Sequence, residues 1–495
     1  MSPTFFGHPR GLATLFLTEM WERFTFYGMR AVLILFLVAA VATGGLGLDD
    51  KTAAAIYGLY NAGVYLAALP GGWVADRLIG AQRAVMVGGL LITTGNLLLA
   101  ISTSPKGFYI GLLVIILGVG LLKPNVSAIV AGLYPEGGAR LDSAFTIFYI
   151  GINIGGALGP LVIPVAQKLF GLRAGFGAGA LFMIIGVVQF YFTRKYLGEA
   201  GVRAAPVHAA GGNHALVPRS KEWLRLCIGV GALALLVLAA SSGWIPVDAF
   251  RLGQGAAYVI AGVGILYFAY YFLFADLTTE ERRRGVVLVV LFVGCALFFS
   301  GFEQAGSSLN LFAERYTDRM ILNFEIPTGW FQSLNSIFII LCAPFFAWMW
   351  VALARRNLNP SAPAKFALGL MLMGSGFLVM AAAAAIVAHG SKVLPYWLLV
   401  TYLLHTFGEL CLSPVGLSYY TKLAPKRFVG QMMGMWFLAT SLGNLVAGLI
   451  AGEFDANNVP AMPGQYMHIV YFTVGVGAIL LVISRPVKKL MGDVV

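Results

Sequence analysis

Residues 19–41 read EMWERFTFYGMRAVLILFLVAAV, and the reading of this stretch decides the fold. From Ala31 to Val41 the run is wholly apolar. With the residues before it, it gives an apolar helix over 12–41, longer than the about 20 residues needed to cross a bilayer. Four ionisable side chains, Glu19, Glu22, Arg23 and Arg30, are embedded in it. Each costs about 2.5–3.5 kcal/mol inside a bilayer on insertion scales, so each needs a partner or a water-filled cavity. Offsets of three, four and seven place Glu19, Glu22, Arg23, Phe26, Tyr27 and Arg30 on one helix face. Apolar residues cover the other faces and continue to Val41, which excludes a helix lying in the interface. Arg23 has Glu19 four residues before it as a partner. Arg30, about 10 Å further along the axis, has no local acid and requires one on another helix.

The same kind of span recurs along all 495 residues. The chain is 59% hydrophobic and 11% charged, with mean hydropathy +0.83, where a soluble chain carries roughly 25% charged residues. Short alternating segments of the membrane-barrel kind do not occur, so the chain is an all-α polytopic membrane protein. Helices are expected over 12–41, 52–77, 83–103, 107–134, 141–169, 174–197, 223–242, 252–275, 284–313, 327–355, 364–389, 394–423, 428–452 and 467–485, about fourteen in all. Residues 198–222 are polar and lack an apolar run, and read as a cytoplasmic linker. This divides the chain into an N-terminal six-helix bundle over 1–197, the linker, two additional spans over 223–283, and a C-terminal six-helix bundle over 284–495. Three further ionisable residues fall within spans: Lys123, Glu303 and Glu409. Four acids against three bases point to pairing, and to a path for an ion or polar solute.

The net charge of +12 follows topology. Lys and Arg concentrate in one set of loops, among them Arg77, Arg83, Arg140, the cluster over 194–225, Arg282, Arg283, Arg284, Lys365 and Arg427. The opposite loops hold few: Lys51, Lys106, Lys168, Arg173, Arg251, Arg315, Arg319 and Lys392. That asymmetry puts both termini in the cytoplasm of an inner-membrane protein and excludes a nucleic-acid footprint. Cys227, Cys295, Cys342 and Cys411 stand alone in apolar stretches and are expected to be small buried core residues, forming neither a disulfide framework nor a metal site. There is no H-E-x-x-H and no phosphate-binding loop, and the acids lie on separate helices, so an enzyme is not expected. A receptor would need a sizeable soluble domain, and only the linker is polar.

Six helices plus six fit the architecture of two rocking bundles. Gly71-Gly72-Trp73-Val74-Ala75-Asp76-Arg77-Leu78-Ile79-Gly80, between the second and third spans, resembles the loop motif of the major facilitator superfamily. Glu-x-x-Glu-Arg-Phe-x-Phe-Tyr-Gly over 19–28 resembles the signature of the proton-dependent oligopeptide transporter (POT) family within it. Phe26 stands where that signature has tyrosine. Lys123-Pro124-Asn125, Phe148-Tyr149-Ile150-Gly151-Ile152-Asn153, Phe302-Glu303-Gln304 with Gly306-Ser307, Leu334-Asn335, Gly408-Glu409-Leu410 with Ser413-Pro414, and Gly434-Met435-Trp436-Phe437 resemble further motifs of the same family, in order along almost the whole chain.

The resemblance implies a proton-coupled symporter that imports di- and tripeptides by alternating access, with protons as the coupling ion, no cofactor, and a monomer as the working unit. A peptide zwitterion needs bases for its carboxylate and an acid for its ammonium. By resemblance Arg23 and Lys123 serve the carboxylate, Glu409 the ammonium, and Asn153 and Asn335 the backbone amides, with Arg30 also among the substrate-binding residues. Tyr27, Tyr65, Ser413 and Trp436 complete the substrate contacts. Glu19, Glu22, Arg23 and Glu303 are implied in proton coupling, and Arg30–Glu303 and Lys123–Glu409 as gating ion pairs. No histidine lies on the second span, so proton handling falls to carboxylates; His405 reads as a hydrogen-bonded helix residue. A relative that carries nitrate or another small metabolite is the alternative, but nitrate has no ammonium for Glu409 to hold.

Overall fold

The computed structural model describes residues 4–136, 138–202, 219–454 and 458–492. The helices follow in chain order: α1 Arg10–Val38, α2 Asp50–Val74, α3 Ala81–Ile101, α4 Pro105–Gly132, α5 Gly138–Phe170, α6 Ala174–Thr193, α7 Arg219–Ser241, α8 Ala249–Phe274, α9 Thr279–Phe302 and α10 Ser308–Tyr316. A two-stranded hairpin, β1 Met320–Ile321 and β2 Phe324–Glu325, precedes α11 Trp330–Arg355, α12 Ala362–Ala388, α13 Tyr396–Leu423, α14 Val429–Ala451 and α15 Met462–Leu490. Thirteen spans among the described residues are long and apolar enough to cross a membrane. α1 falls outside that set because every 18-residue window of it holds at least three of Arg10, Glu19, Glu22, Arg23 and Arg30. Its length and apolar continuation make it the fourteenth.

Local sequence accounts for several ends. Ser104 caps α4 by accepting from the Gly107 N–H at 3.1 Å, with Pro105 at the first helical position. Thr278 and Glu281 form a reciprocal capping box at the start of α9. α2 runs on through a π-helical turn, Ala75–Ile79, and stops at Gly80, whose φ of 82° suits glycine.

The chain forms two compact units, Met1–Met29 with Gly63–Asp248, and Arg30–Ala62 with Ala249–Val495. In the first, α3 packs on α4 and α6, and α5 on α6. In the second, α12 packs on α13 and α15, α9 and α8 on α14, and α11 on α13. Side chains on the outer faces, such as Leu224, Ile228 and Leu235 of α7, are exposed and apolar, as lipid contact requires.

Several expectations are corrected. The span placed over 284–313 is not one helix: α9 ends at Phe302, Glu303–Gly306 forms a 3₁₀ turn, and α10 restarts at Ser308. Lys365 is not a loop base but lies buried in the first turn of α12, its Nζ 4.3 Å from the Trp350 ring centre. Cys227 is exposed on α7 rather than buried. Of the linker, residues 203–218 lie outside the described residues. Residues 198–202 form a turn held by Gln82, whose Nε2 donates to Ala200 O at 2.8 Å. Residues 219–222 already belong to α7. Buried Glu222 ties that helix to the π-helical turn by accepting from Arg225 at 2.8 Å and Arg77 at 3.5 Å.

Candidate functional site

The first unit gathers the charges of α1. Glu19, Glu22 and Arg23 are all at most 3% exposed. Arg23 donates Nη2 to Glu22 Oε1 at 2.7 Å and Nε to Glu22 Oε2, and its Nε lies 3.4 Å from Glu19 Oε1. The bidentate fork is the strongest geometry an arginine and a carboxylate can make. The Phe26 ring covers the guanidinium at 4.9 Å, with Tyr27 at 5.9 Å. Phe26, where the family signature has tyrosine, keeps this ring face and lacks the hydroxyl. On α4, Lys123 sits 4.0 Å over the Tyr65 ring of α2 and is close enough to Glu19 for the two charges to interact. Asn153 on α5 is buried and donates to Tyr149 O at 2.9 Å.

Close helix contact holds this cluster in place. A Cβ on Gly155 of α5 would overlap the Met20 carbonyl oxygen of α1 and come 2.9 Å from Phe24 N. Only glycine lets the two backbones approach at the level of Arg23.

The second unit supplies Arg30 with the distant acid its helix lacks. Arg30 Nη1 lies 2.9 Å from Glu303 Oε2, both buried. Glu303 is the first residue of the 3₁₀ turn, so the helix break aims it. Glu409 on α13 accepts from Asn335 Nδ2 of α11 at 2.9 Å; Asn335 also donates to Thr406 Oγ1 at 3.1 Å. Thr406 in turn donates to Tyr402 O at 2.7 Å. Glu409 lies within electrostatic reach of Arg30 and Glu303. The Ser413 hydroxyl has no hydrogen-bond partner among the described residues. Trp436 is buried beside Tyr420, ring centres 5.4 Å apart, and its ring fills the space over Gly416. His405 packs on α12, its ring 4.8 Å from the Phe377 ring.

The sequence-derived residues thus divide between the two units. Glu19, Glu22, Arg23, Tyr27, Tyr65, Lys123 and Asn153 belong to the first, and Arg30, Glu303, Asn335, Glu409, Ser413 and Trp436 to the second. Arg30 and Glu303 meet within one unit. Sequence reasoning overlooked Tyr57, Asn61, Tyr402 and Thr406. Tyr57 and Asn61 sit four residues apart on an apolar helix, and that polar i,i+4 pair was the available signal. Among the described residues, no group of three or more His, Cys, Asp or Glu is placed to hold a metal ion.

The PTR2 model, described as POT family, matches residues 82–467. Peptide transporter YePEPT of Yersinia enterocolitica subsp. palearctica is 43% identical, over 99% of this chain and 96% of that protein. A di-/tripeptide transporter of Lactococcus lactis subsp. cremoris is 36% identical, over 99% of this chain and 98% of that protein. Among solved structures, a mutant of the peptide transporter POT in complex with alafosfalin superposes with a TM-score of 0.90 at 39% identity, covering 99% of this chain and 97% of that one. A POT family transporter in complex with 5-aminolevulinic acid gives 0.87 at 31% identity, covering 98% of each chain.

Proposed function

Because the chain belongs to the POT family, we infer that it is a proton-coupled symporter that carries di- and tripeptides across the cytoplasmic membrane by alternating access. It is a transporter and not an enzyme, and its fold is the major facilitator fold, two six-helix bundles with two extra helices.

The observation that carries the coupling is the charge balance of the first unit. Two acids, Glu19 and Glu22, face two bases, Arg23 and Lys123. A peptide carboxylate delivered to Arg23 or Lys123 leaves one negative charge in excess inside a span. An uncompensated charge there is expensive, and one proton on Glu19 or Glu22 cancels it. Substrate and proton then enter together. Glu409, oriented by Asn335, takes the peptide ammonium. Asn153 and Asn335 serve the backbone amides, and Tyr27, Tyr65, Ser413 and Trp436 the side chains. Glu303 is the second coupling carboxylate. Its pairing with Arg30 at 2.9 Å supports a gate that protonation releases.

The proton is the only coupling species this arrangement needs, and no cofactor has a role in it. A single chain carries every residue named, which supports a working monomer. The weight of Lys and Arg in one set of loops supports inner-membrane insertion with both termini in the cytoplasm.

The test is uptake of labelled dialanine into liposomes holding the purified chain. Uptake should require an inward proton gradient, be competed by trialanine and be indifferent to nitrate. Gradient-independent dialanine uptake, or competition by nitrate, would overturn the reading.

A further inference from the structure

The connection between α2 and α3 is held from outside, by both described ends of the segment that joins α6 to α7. It runs through the π-helical turn Ala75–Ile79 and Gly80, and carries Asp76-Arg77 of the loop motif. On one side Gln82, at the start of α3, donates Nε2 to Ala200 O at 2.8 Å and to Gly198 O at 3.2 Å, and its backbone N–H to Gly201 O at 3.0 Å. Gly80 lies so close that a Cβ on it would come 2.5 Å from the Val202 carbonyl oxygen. On the other side Arg77 Nη1 donates to Glu222 Oε1 of α7 at 3.5 Å, and Arg225 Nη1 donates to the same oxygen at 2.8 Å. All these residues belong to the first unit.

Glu222 is out of place for an ordinary lipid-exposed helix. α7 has 23 residues, and Glu222, 1% exposed, is the one buried among them. A helix in lipid that buries a single side chain should bury an apolar or small one. The first turn of a helix favours a carboxylate through the helix dipole, which accounts for the charge but not for its burial. Glu222 Oε2 has no hydrogen-bond partner among the described residues, so the two guanidiniums at Oε1 are the bonded compensation of the charge. A buried carboxylate that loses such a partner is costly, so Glu222 keeps α7 against Arg77. The connection needs this support. A π-helical turn is a rare departure from the α-helical ladder, and the glycine after it has no side chain to lock it. Bonds from outside therefore decide how firmly it sits.

We propose that Glu222 is a positioning residue for transport: together with Gln82 it clasps the α2–α3 connection, through Arg77, so that the first unit moves as one body. The proposal rests on the reading of transport by alternating access, in which the movement of whole bundles limits the maximal rate.

The test compares the native chain, Arg77→Gln, Glu222→Gln and the double variant in liposomes, with rates taken per chain that binds dialanine. A pair with one part-exposed partner is worth about threefold. Glu222→Gln should lower the maximal rate of gradient-driven dialanine uptake by about that factor. KM and the steady-state accumulation should stay within about twofold, because the peptide-binding charges are untouched. Amide hydrogen exchange over 75–82 should quicken about threefold, and the double variant should be no slower in uptake than either single one. A native rate or native exchange in Glu222→Gln overturns the proposal, and so do losses that multiply in the double variant. Fewer binding chains with a native rate per chain would mark a merely structural role and overturn it as well. A native chain that carries no dialanine, while Glu222→Gln still quickens exchange over 75–82, overturns the functional reading and leaves the clasp standing.

Discussion

Replacing Glu22 by glutamine removes one charge from a buried group of three. Glu22 meets Arg23 through both Nη2, at 2.7 Å, and Nε, whereas Glu19 reaches the same guanidinium through one contact at 3.4 Å. Breaking a buried pair costs about 3–5 kcal/mol when the remaining charge is left alone. Here Glu19 stays as counter-charge, and glutamine keeps one acceptor for the fork. The loss in how firmly Arg23 is held is then about 2–3 kcal/mol, or roughly 30- to 150-fold in an equilibrium constant. The larger consequence is functional, because the amide takes up no proton. Glu22→Gln should fail to accumulate dialanine against its gradient under a proton gradient. Counterflow, which needs no net proton movement, should continue. Glu19→Gln, which removes the single longer contact, should loosen Arg23 less. Accumulation at the native level by Glu22→Gln would refute the charge-balance argument.

Three further outcomes are expected. Gly155→Ala forces backbone against backbone where α1 meets α5, a clash no rotamer relieves; its thermal midpoint in detergent should fall, by about 1–3 kcal/mol of stability or more. Asn335→Leu removes the 2.9 Å bond that orients Glu409; the dialanine KM should rise by about tenfold with a smaller change in maximal rate, and an unchanged KM would show that Glu409 needs no such partner. At the solvent end of α2, burial works against the Asp49 carboxylate, but the Thr52 backbone and hydroxyl bonds outweigh it and hold its pKa below the usual range. A lowered acid stabilises the fold above its unfolded pKa. Asp49→Ala should therefore speed exchange of the first amides of α2 at neutral pH, by about 1 kcal/mol of capping, and the difference should fade as the pH falls through about 4 and below.

The face of α1 was legible because helix period and charge cost act locally. Glu19, Glu22 and Arg23 are partners within one and a half turns, and the structure joins them. Arg30 was legible only as a base needing a distant acid, since its partner lies 273 residues away in the chain. The break at Glu303 was not legible from 284–313, because no proline marks it. Tyr57 escaped because the reading weighed charges and passed over hydroxyls. The hairpin at 320–325 turns on Leu322 and Asn323, both with positive φ, and lacks the usual Asn-Gly signal. Lys365, at the very start of the span expected over 364–389, was counted with the loop bases; Trp350, from the preceding helix, packs its ring against it.

The most direct test of proton-coupled peptide transport is to watch the proton. Liposomes holding the purified chain and a trapped pH-sensitive dye are given external dialanine with no imposed pH difference and with the membrane potential clamped. Dialanine should acidify the lumen, and N-acetylated dialanine, which offers Glu409 no ammonium, should not. Dialanine that enters with no acidification would contradict the account.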